Sequence, residues 1–517
     1  MAINSFHSSG SDHAVSRTLI IVTGLLAIVS GLVASLGVPL LALFLAAPVI
    51  AVLLATRPIL LLWLVLVGGL VVAGVTTLYV PMLRQARWGV ALAAMLLGAI
   101  AIIAHFVRNP PRSPLPHGLQ ERRGTLMVWA FAFFSLTLFS GLLNDGATLD
   151  TMIGLKNYFQ VWGILLAFAL LPMSAGSADR MMAFLVWLGV LQLPFALHET
   201  FFLVPQRMSA LDAGRNIVAQ DIVVGTFSGS MSGGGAGASM TVLLGIALTV
   251  LLARWRSGRL GIAALVVSCL ACLAPIALGE HKLGMVFVVL IPLIVYGDQL
   301  VRNPVRTVAF GAISLAVAVL LFIAFTMLPR TGGSRNLTVD EYLQQAVDYN
   351  VGDKGYGSLY LNRKTVYAFW WQAHQSPGRI VNALIGYGPG ATNESRTGFR
   401  ERSYASTQYP LYGIGLTGLS GLLWEVGVLG TAAALGFLVS AFLIARRLAL
   451  KAGRVSARWA YLKGAEAGVL MVTLSLLHSG NFLFEIGLQT LLVLLVGYLW
   501  HFKSRPVDGE SAARVQF

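Results

Sequence analysis

Residues 58–80 read PILLLWLVLVGGLVVAGVTTLYV. No charged residue interrupts the run. A helix of this length, rising about 1.5 Å per residue, crosses a hydrocarbon core about 30 Å thick. Runs of the same character recur near 18–37, 39–55, 88–107, 125–144, 157–173, 182–204, 239–253, 260–279, 284–299, 308–328, 426–445, 464–480 and 484–502. The pattern predicts an all-α polytopic membrane protein of about 12–14 transmembrane helices. The first run follows Arg17 without a small-x-small cleavage site and reads as an uncleaved span.

Composition leads the same way. The 517 residues are 57% hydrophobic and 11% charged, with a mean hydropathy of +0.78, whereas soluble domains carry about 25% charged residues. Two cysteines exclude a disulfide framework or a structural zinc cluster. Low charge with high hydrophobicity excludes intrinsic disorder. In a soluble domain a net charge of +15 would point to nucleic acid. Here the positive-inside bias accounts for it, and no nucleic-acid partner is expected.

Four basic loops fall on one side of the alternating spans: Arg108 to Arg123, Arg254 to Arg259, Arg302 to Arg306, and Arg446 to Lys463. That side is the expected cytoplasm, so both tails, 1–17 and 503–517, are cytoplasmic. Among the short early loops, Arg84 and Arg87 fall on the wrong side. The transmembrane block 18–328 is followed by a large external loop, 329–425, containing short helices, and then by three last spans within 426–502. Segments 145–156 and 205–238 are external too. The large loop holds nine basic residues, against six acidic ones ahead of Glu425. An external basic excess opposes the topological trend, so an anionic ligand is the expected reason for it.

Candidate chemistry clusters in these external segments. Segment 205–238 carries Arg207, Arg215 and Asp221, then Gly225-Thr-Phe-Ser-Gly-Ser-Met-Ser-Gly-Gly-Gly-Ala-Gly237. Such glycine density permits close backbone approach but matches no nucleotide loop; a flexible re-entrant turn is the plainer reading. Gly279-Glu-His-Lys282 puts charge at a membrane boundary, as an interfacial ion pair or as a cation beside a titratable His281. Arg363, Tyr367, Trp370, Trp371 and His374 have helical spacing. That places a cation and aromatic rings near one face, suited to sugar stacking and phosphate pairing or to lying on a bilayer. Gly386-Tyr-Gly-Pro-Gly390 is a glycine-punctuated turn, and Arg396, Arg400 and Arg402 cluster after it. Glu199, Glu425, His478 and Glu485 lie near span ends as buried structural groups or as a general base. Cys269 and Cys272, inside an apolar run, read as packing residues.

The order of these features resembles the O-antigen ligase and polymerase superfamily of bacterial inner-membrane glycosyltransferases. Gly225-Thr-Phe-Ser-Gly, Gly279-Glu-His-Lys282, Arg363 with Trp370-Trp371, Gly386-Tyr-Gly-Pro-Gly390 and Glu425-Val-Gly-Val-Leu-Gly430 follow the family pattern over about 220–445. Ligases of the family carry a His-Asn ahead of the Glu-x-Gly, and the stretch from Tyr412 to Leu423 has no histidine. The resemblance therefore favours the polymerase branch or an exopolysaccharide or capsule relative. Position 282 is Lys where the family more often has Arg, which keeps the charge but loses bidentate phosphate binding.

What the resemblance implies is transfer of a glycan from undecaprenyl pyrophosphate to a lipid-linked repeat at the periplasmic face. The expected partners are that lipid-linked oligosaccharide, membrane lipids and other polysaccharide-export components. Cations would stabilise the pyrophosphate: Arg215, Lys282 and Arg363, with Arg396, Arg400 and Arg402 assisting, while Trp370 and Trp371 contact the glycan. His281, Glu199 and His374 are the candidates for the base. With no DxD-like motif in the external loops, neither metal nor cofactor is expected. A ligase acting on lipid A core, and a transporter of lipid-linked oligosaccharide, are the alternatives.

Overall fold

The computed structural model describes residues 56–80, 86–108, 124–144, 149–211, 219–231, 234–297, 299, 303–327, 344, 347, 352, 355, 359–393 and 404–503. Among them the regular structure is helical throughout, with no strand. In chain order the main helices are α1 (Pro58–Tyr79), α2 (Ala86–Arg108), α3 (Gly124–Leu143), α4 (Leu149–Phe159), α5 (Gly163–Leu170), α6 (Ala175–Met208), α7 (Gly237–Arg256) and α8 (Ile262–Leu278). They continue with α9 (Lys282–Tyr296), α10 (Pro304–Met327), α11 (Thr365–Ala373), α12 (Ile380–Ile385), α13 (Gly418–Ala452), α14 (Ala457–Ser475) and α15 (Ile486–Lys503).

Seven of these, α1, α2, α3, α6, α7, α13 and α15, are long and apolar enough to cross a membrane, and the α4–α5 pair, bent by 45°, makes an eighth. The protein is an all-α polytopic membrane protein. Helices α8 and α9 and the Val308–Ile323 part of α10 are apolar but shorter. Each apolar run from 58–80 onward coincides with a helix. The runs 18–37 and 39–55, the tail 1–17 and residues 504–517 lie outside the described residues.

The bundle is built around α7 and α15, whose apolar windows are 83% and 89% buried. Helix α14 packs on both, and α13 packs on α14 and α3. Helices α2 and α3, each only 33% buried over its apolar window, turn Leu92, Val107 and Phe131 outward, as lipid-facing helices do. Lipid supplies no hydrophobic drive between helices, so close backbone approach has to hold them together. At the α2–α5 crossing a Cβ on Gly163 would lie 1.7 Å from the carbonyl of Ala94. Only glycine fits there.

Two departures from the sequence expectation shape the site. Helix α13 begins at Gly418, ahead of the expected 426. Thr417 caps it, its Oγ1 accepting from the amide of Ser420 at 3.1 Å while the Ser420 hydroxyl accepts from the amide of Thr417 at 3.2 Å. This reciprocal box starts a helix inside a glycine-rich stretch that reads as loop. Helix α13 then breaks at Gly427 (φ 65°, ψ −170°), at the start of the apolar run 426–445.

Candidate functional site

The glycine-rich segment after α6 folds back into the bundle against α1 and α15. A Cβ on Gly74 of α1 would lie 2.0 Å from the Thr226 carbonyl, and one on Gly487 of α15 would meet the Phe227 ring. Buried main-chain amides require partners, and side chains of α6 provide them. Glu199, fully buried, accepts through Oε2 from the amides of Val224 at 2.9 Å and Gly225 at 2.8 Å. Gln192 accepts from the Thr226 amide at 2.8 Å and donates to its hydroxyl at 3.0 Å. That hydroxyl in turn donates to the Leu70 carbonyl at 2.8 Å. Gly225 has φ +63°, a left-handed conformation that suits glycine.

His281 grips the same segment from the other side. Its Nε2 lies 2.9 Å from the Val223 carbonyl. A carbonyl only accepts, so Nε2 carries the proton and Nδ1 is the acceptor nitrogen of the neutral ring. Burial pushes the His281 pKa down to about 4, partly opposed by this hydrogen bond.

Three cations from separate elements meet beside this loop. Asp221 is raised above the usual carboxylate range by burial, and Arg207, Lys282 and Arg363 each draw it back down. Arg207 is fully buried near the end of α6, and Lys282 is the exposed first residue of α9. Arg363, just ahead of α11, donates from Nε to the His478 carbonyl at 2.8 Å. The His478 imidazole is held down to about 3 by burial, then by Arg363, Lys282 and His281. Even counting Glu280, next in the chain to His281, the group holds three cations against two acids. A partly buried excess of positive charge suits a phosphorylated anion.

The large loop forms a second cage around Glu425. Its Oε2 accepts from the Gly390 amide at 2.8 Å, and its Oε1 accepts from the amide of Thr392 at 3.2 Å and from the Thr392 hydroxyl. The Gly386–Gly390 turn is tied on further by Tyr387 and Gly388 amides donating to the carbonyls of Trp424 and Glu425 at 2.9 and 3.0 Å. Beside it a cleft of about 200 Å³ is lined by Thr392, Asn393, Ser406, Tyr409 and Phe484, among others.

Of the residues selected from sequence, His281, Lys282 and Arg363 come together. Glu199 joins them only through the loop it anchors. Trp370, Trp371 and His374 do not share a face. Trp370 and His374 are buried in an aromatic core with Trp424 and Tyr387, their rings 4.7 Å apart, while Trp371 is 64% exposed. Successive helical residues point about 100° apart, so adjacent tryptophans cannot both face the core. The His374 Nδ1 lies 2.7 Å from the Trp370 carbonyl, and burial lowers its pKa. Arg215, Arg396, Arg400 and Arg402 lie outside the described residues.

Arg207 and Asp221, read in sequence only as flanking the glycine run, and His478, read only as a span-end group that is structural or a base, belong to the site as well. Among the described residues no group of three or more His, Cys, Asp or Glu side chains is placed to hold a metal ion. Cys269 and Cys272 are free thiols, and Cys272 is fully buried in α8. No protein-family model matches the chain. A search of curated proteins finds no significant match.

Proposed function

We propose that the protein is a glycosyltransferase of polysaccharide assembly. It transfers a glycan from undecaprenyl pyrophosphate to the end of the next lipid-linked repeat, at the periplasmic face of a bacterial inner membrane. The observation that carries this reading is the meeting of Arg207, Lys282 and Arg363 at Asp221, with Lys282 and Arg363 also beside His478. A pyrophosphate leaving group gains negative charge as it departs, and cations already fixed in place lower that barrier without reorganising.

The chemistry then follows. The acceptor hydroxyl oxygen bonds to the anomeric carbon as the bond from that carbon to the pyrophosphate oxygen breaks. The bonding pair leaves with the pyrophosphate, and the hydroxyl proton passes to Asp221. A carboxylate raised by burial is closer in pKa to the working pH than an ordinary aspartate, which favours it as base. His281 and His478, at about 4 and about 3, are uncharged near neutrality and serve as hydrogen-bonding groups. The cleft beside Thr392 and Tyr409 takes the acceptor sugar; the exposed Trp371, outside that lining, offers the glycan a separate stacking surface.

Reconstitution tests the reading. Purified protein is incubated with the host's lipid-linked repeat unit, and the products are separated on a gel. A ladder of repeats that is lost in Lys282→Ala, Arg363→Ala and Asp221→Asn is the expected result. Transfer to lipid A core instead makes it a ligase. Movement of the lipid-linked unit across proteoliposomes with no new glycosidic bond overturns the enzyme and leaves a transporter.

A further inference from the structure

A cavity of about 640 Å³ lies at the opposite ends of α7 and α9, lined by Trp255, Arg256, Tyr296, Phe310, Ile313 and Arg454, among others. The 20 residues of α7 separate it from the site at Gly237 by about 30 Å, so it is no part of that site. Its volume falls within the range of about 300–1,000 Å³ usual for small-molecule sites.

The lining combines two chemistries. Arg256 is held by a hydrogen bond from Nη1 to the Val295 carbonyl, and its guanidinium lies 4.5 Å over the Tyr296 ring and 5.6 Å over Trp459. Tyr296 and Phe310 stack 4.3 Å apart at 13°, closing one wall. Arg454 contributes a second guanidinium from the loop between α13 and α14. From α10 the lining is apolar, with Ala309, Phe310 and Ile313, the last 58% exposed. Two guanidinium groups, that of Arg256 held in place, and an aromatic wall meet an anion. The apolar flank beside them meets hydrocarbon.

We propose that this cavity binds the phosphate headgroup of an anionic phospholipid, with its acyl chains leaving along Phe310 and Ile313. A basic pocket between membrane helices recognises such headgroups through the same pairing of charge and depth. A free phosphate would satisfy the arginines but leave the apolar flank without a partner.

Native mass spectrometry of the purified full chain tests this, with dioleoyl phosphatidylglycerol and dioleoyl phosphatidylcholine as probes. The protein is expected to retain the anionic lipid over the zwitterionic one. Arg454→Gln is expected to reduce that preference about fivefold, the effect of one Lys or Arg near an anionic headgroup. Ile313→Trp removes no charge and fills the mouth; it is expected to lose the lipid equally, and it keeps the test open if Arg454→Gln does not purify. Equal retention of both lipids by the wild type overturns the proposal, as does unchanged retention in the variants. Displacement of the lipid by inorganic phosphate alone assigns the cavity to a free anion and overturns it too.

Discussion

His281 and Glu199 hold one loop from opposite sides. His281 donates to the Val223 carbonyl at 2.9 Å, while Glu199 accepts from the next two amides, those of Val224 and Gly225, at 2.9 and 2.8 Å. Three consecutive residues are thereby fixed on the path from Asp221 to Thr226, so the position of Asp221 among its cations is set by groups on α6 and at the start of α9. Two residues that look like catalytic candidates act here as anchors.

The first prediction concerns pH. The folded pKa values of His281 and His478, about 4 and about 3, lie below the ordinary histidine value of about 6.5. The folded state thus favours the neutral rings. Their contribution to stability is complete above about pH 6.5 and is lost as the pH falls from there toward 4, because the unfolded chain binds protons first. Each histidine adds at most about 1.4 kcal/mol per pH unit across that window. Thermal midpoints at pH 7.5 and pH 5 should differ less in His478→Gln than in the wild type. An equal difference in both proteins counts against buried neutral histidines.

Glu199→Ala should be costly because it leaves the buried amides of Val224 and Gly225 without their acceptor. Each orphaned group costs about 1–3 kcal/mol. Glu199→Gln keeps an acceptor oxygen and should lose only the charge-assisted part. The check is thermal unfolding in detergent, combined with hydrogen exchange over 221–226. Faster exchange in the alanine variant and near-normal exchange in the glutamine variant is the expected outcome. Equal behaviour of the two variants would show that charge, not amide satisfaction, is what the loop requires.

Adjacent tryptophans should behave oppositely. Trp370 is 7% exposed within the aromatic core and Trp371 is 64% exposed. Trp370→Ala should cost about 3–5 kcal/mol through the cavity it leaves, lowering the thermal midpoint. Trp371→Ala should leave the midpoint within about 0.5 kcal/mol of the wild type and weaken glycan binding, read by titration with the host's oligosaccharide. A lowered midpoint in Trp371→Ala would place that ring in the core instead.

Much of this architecture was legible in sequence because a bilayer imposes one simple length rule. The run 58–80 became α1 and 484–502 became α15 with small changes at their ends. That Lys282 and Arg363 belong together was legible through the resemblance, which assigns both to one pyrophosphate; charge counting alone showed only a basic excess outside the spans. The start of α13 was not legible, since Gly-Leu-Thr-Gly reads as loop until Thr417 and Ser420 are seen to cap each other. Nor were the roles of Glu199 and Glu425. A buried acid looks the same in sequence whether it moves protons or collects main-chain amides, and only the partners' positions separate the two. His478 joined the site by folding alone, through a carbonyl that no side-chain pattern reveals.

The last prediction tests the cage around Glu425. Gly386 has φ +86°, and a Cβ there would lie 2.4 Å from the Glu425 carbonyl. Gly427, at φ +65°, meets Leu384 in the same way from the other strand of the contact, with a Cβ 2.4 Å from the Leu384 carbonyl. The turn and the break in α13 therefore interlock backbone to backbone, and neither can move away without giving up hydrogen bonds to Glu425 and Trp424. Gly386→Ala imposes both a positive-φ backbone strain of about 1–3 kcal/mol and a clash with main chain, so the loss should exceed the strain alone. If the clash dominates, Gly427→Ala should cost a similar amount, and the double variant should cost less than the two single losses together, since one separation of the two segments relieves both. Thermal unfolding of the three variants measures this directly. Additive losses would mean that the two glycines act independently and that the cage is not a single interlocked unit.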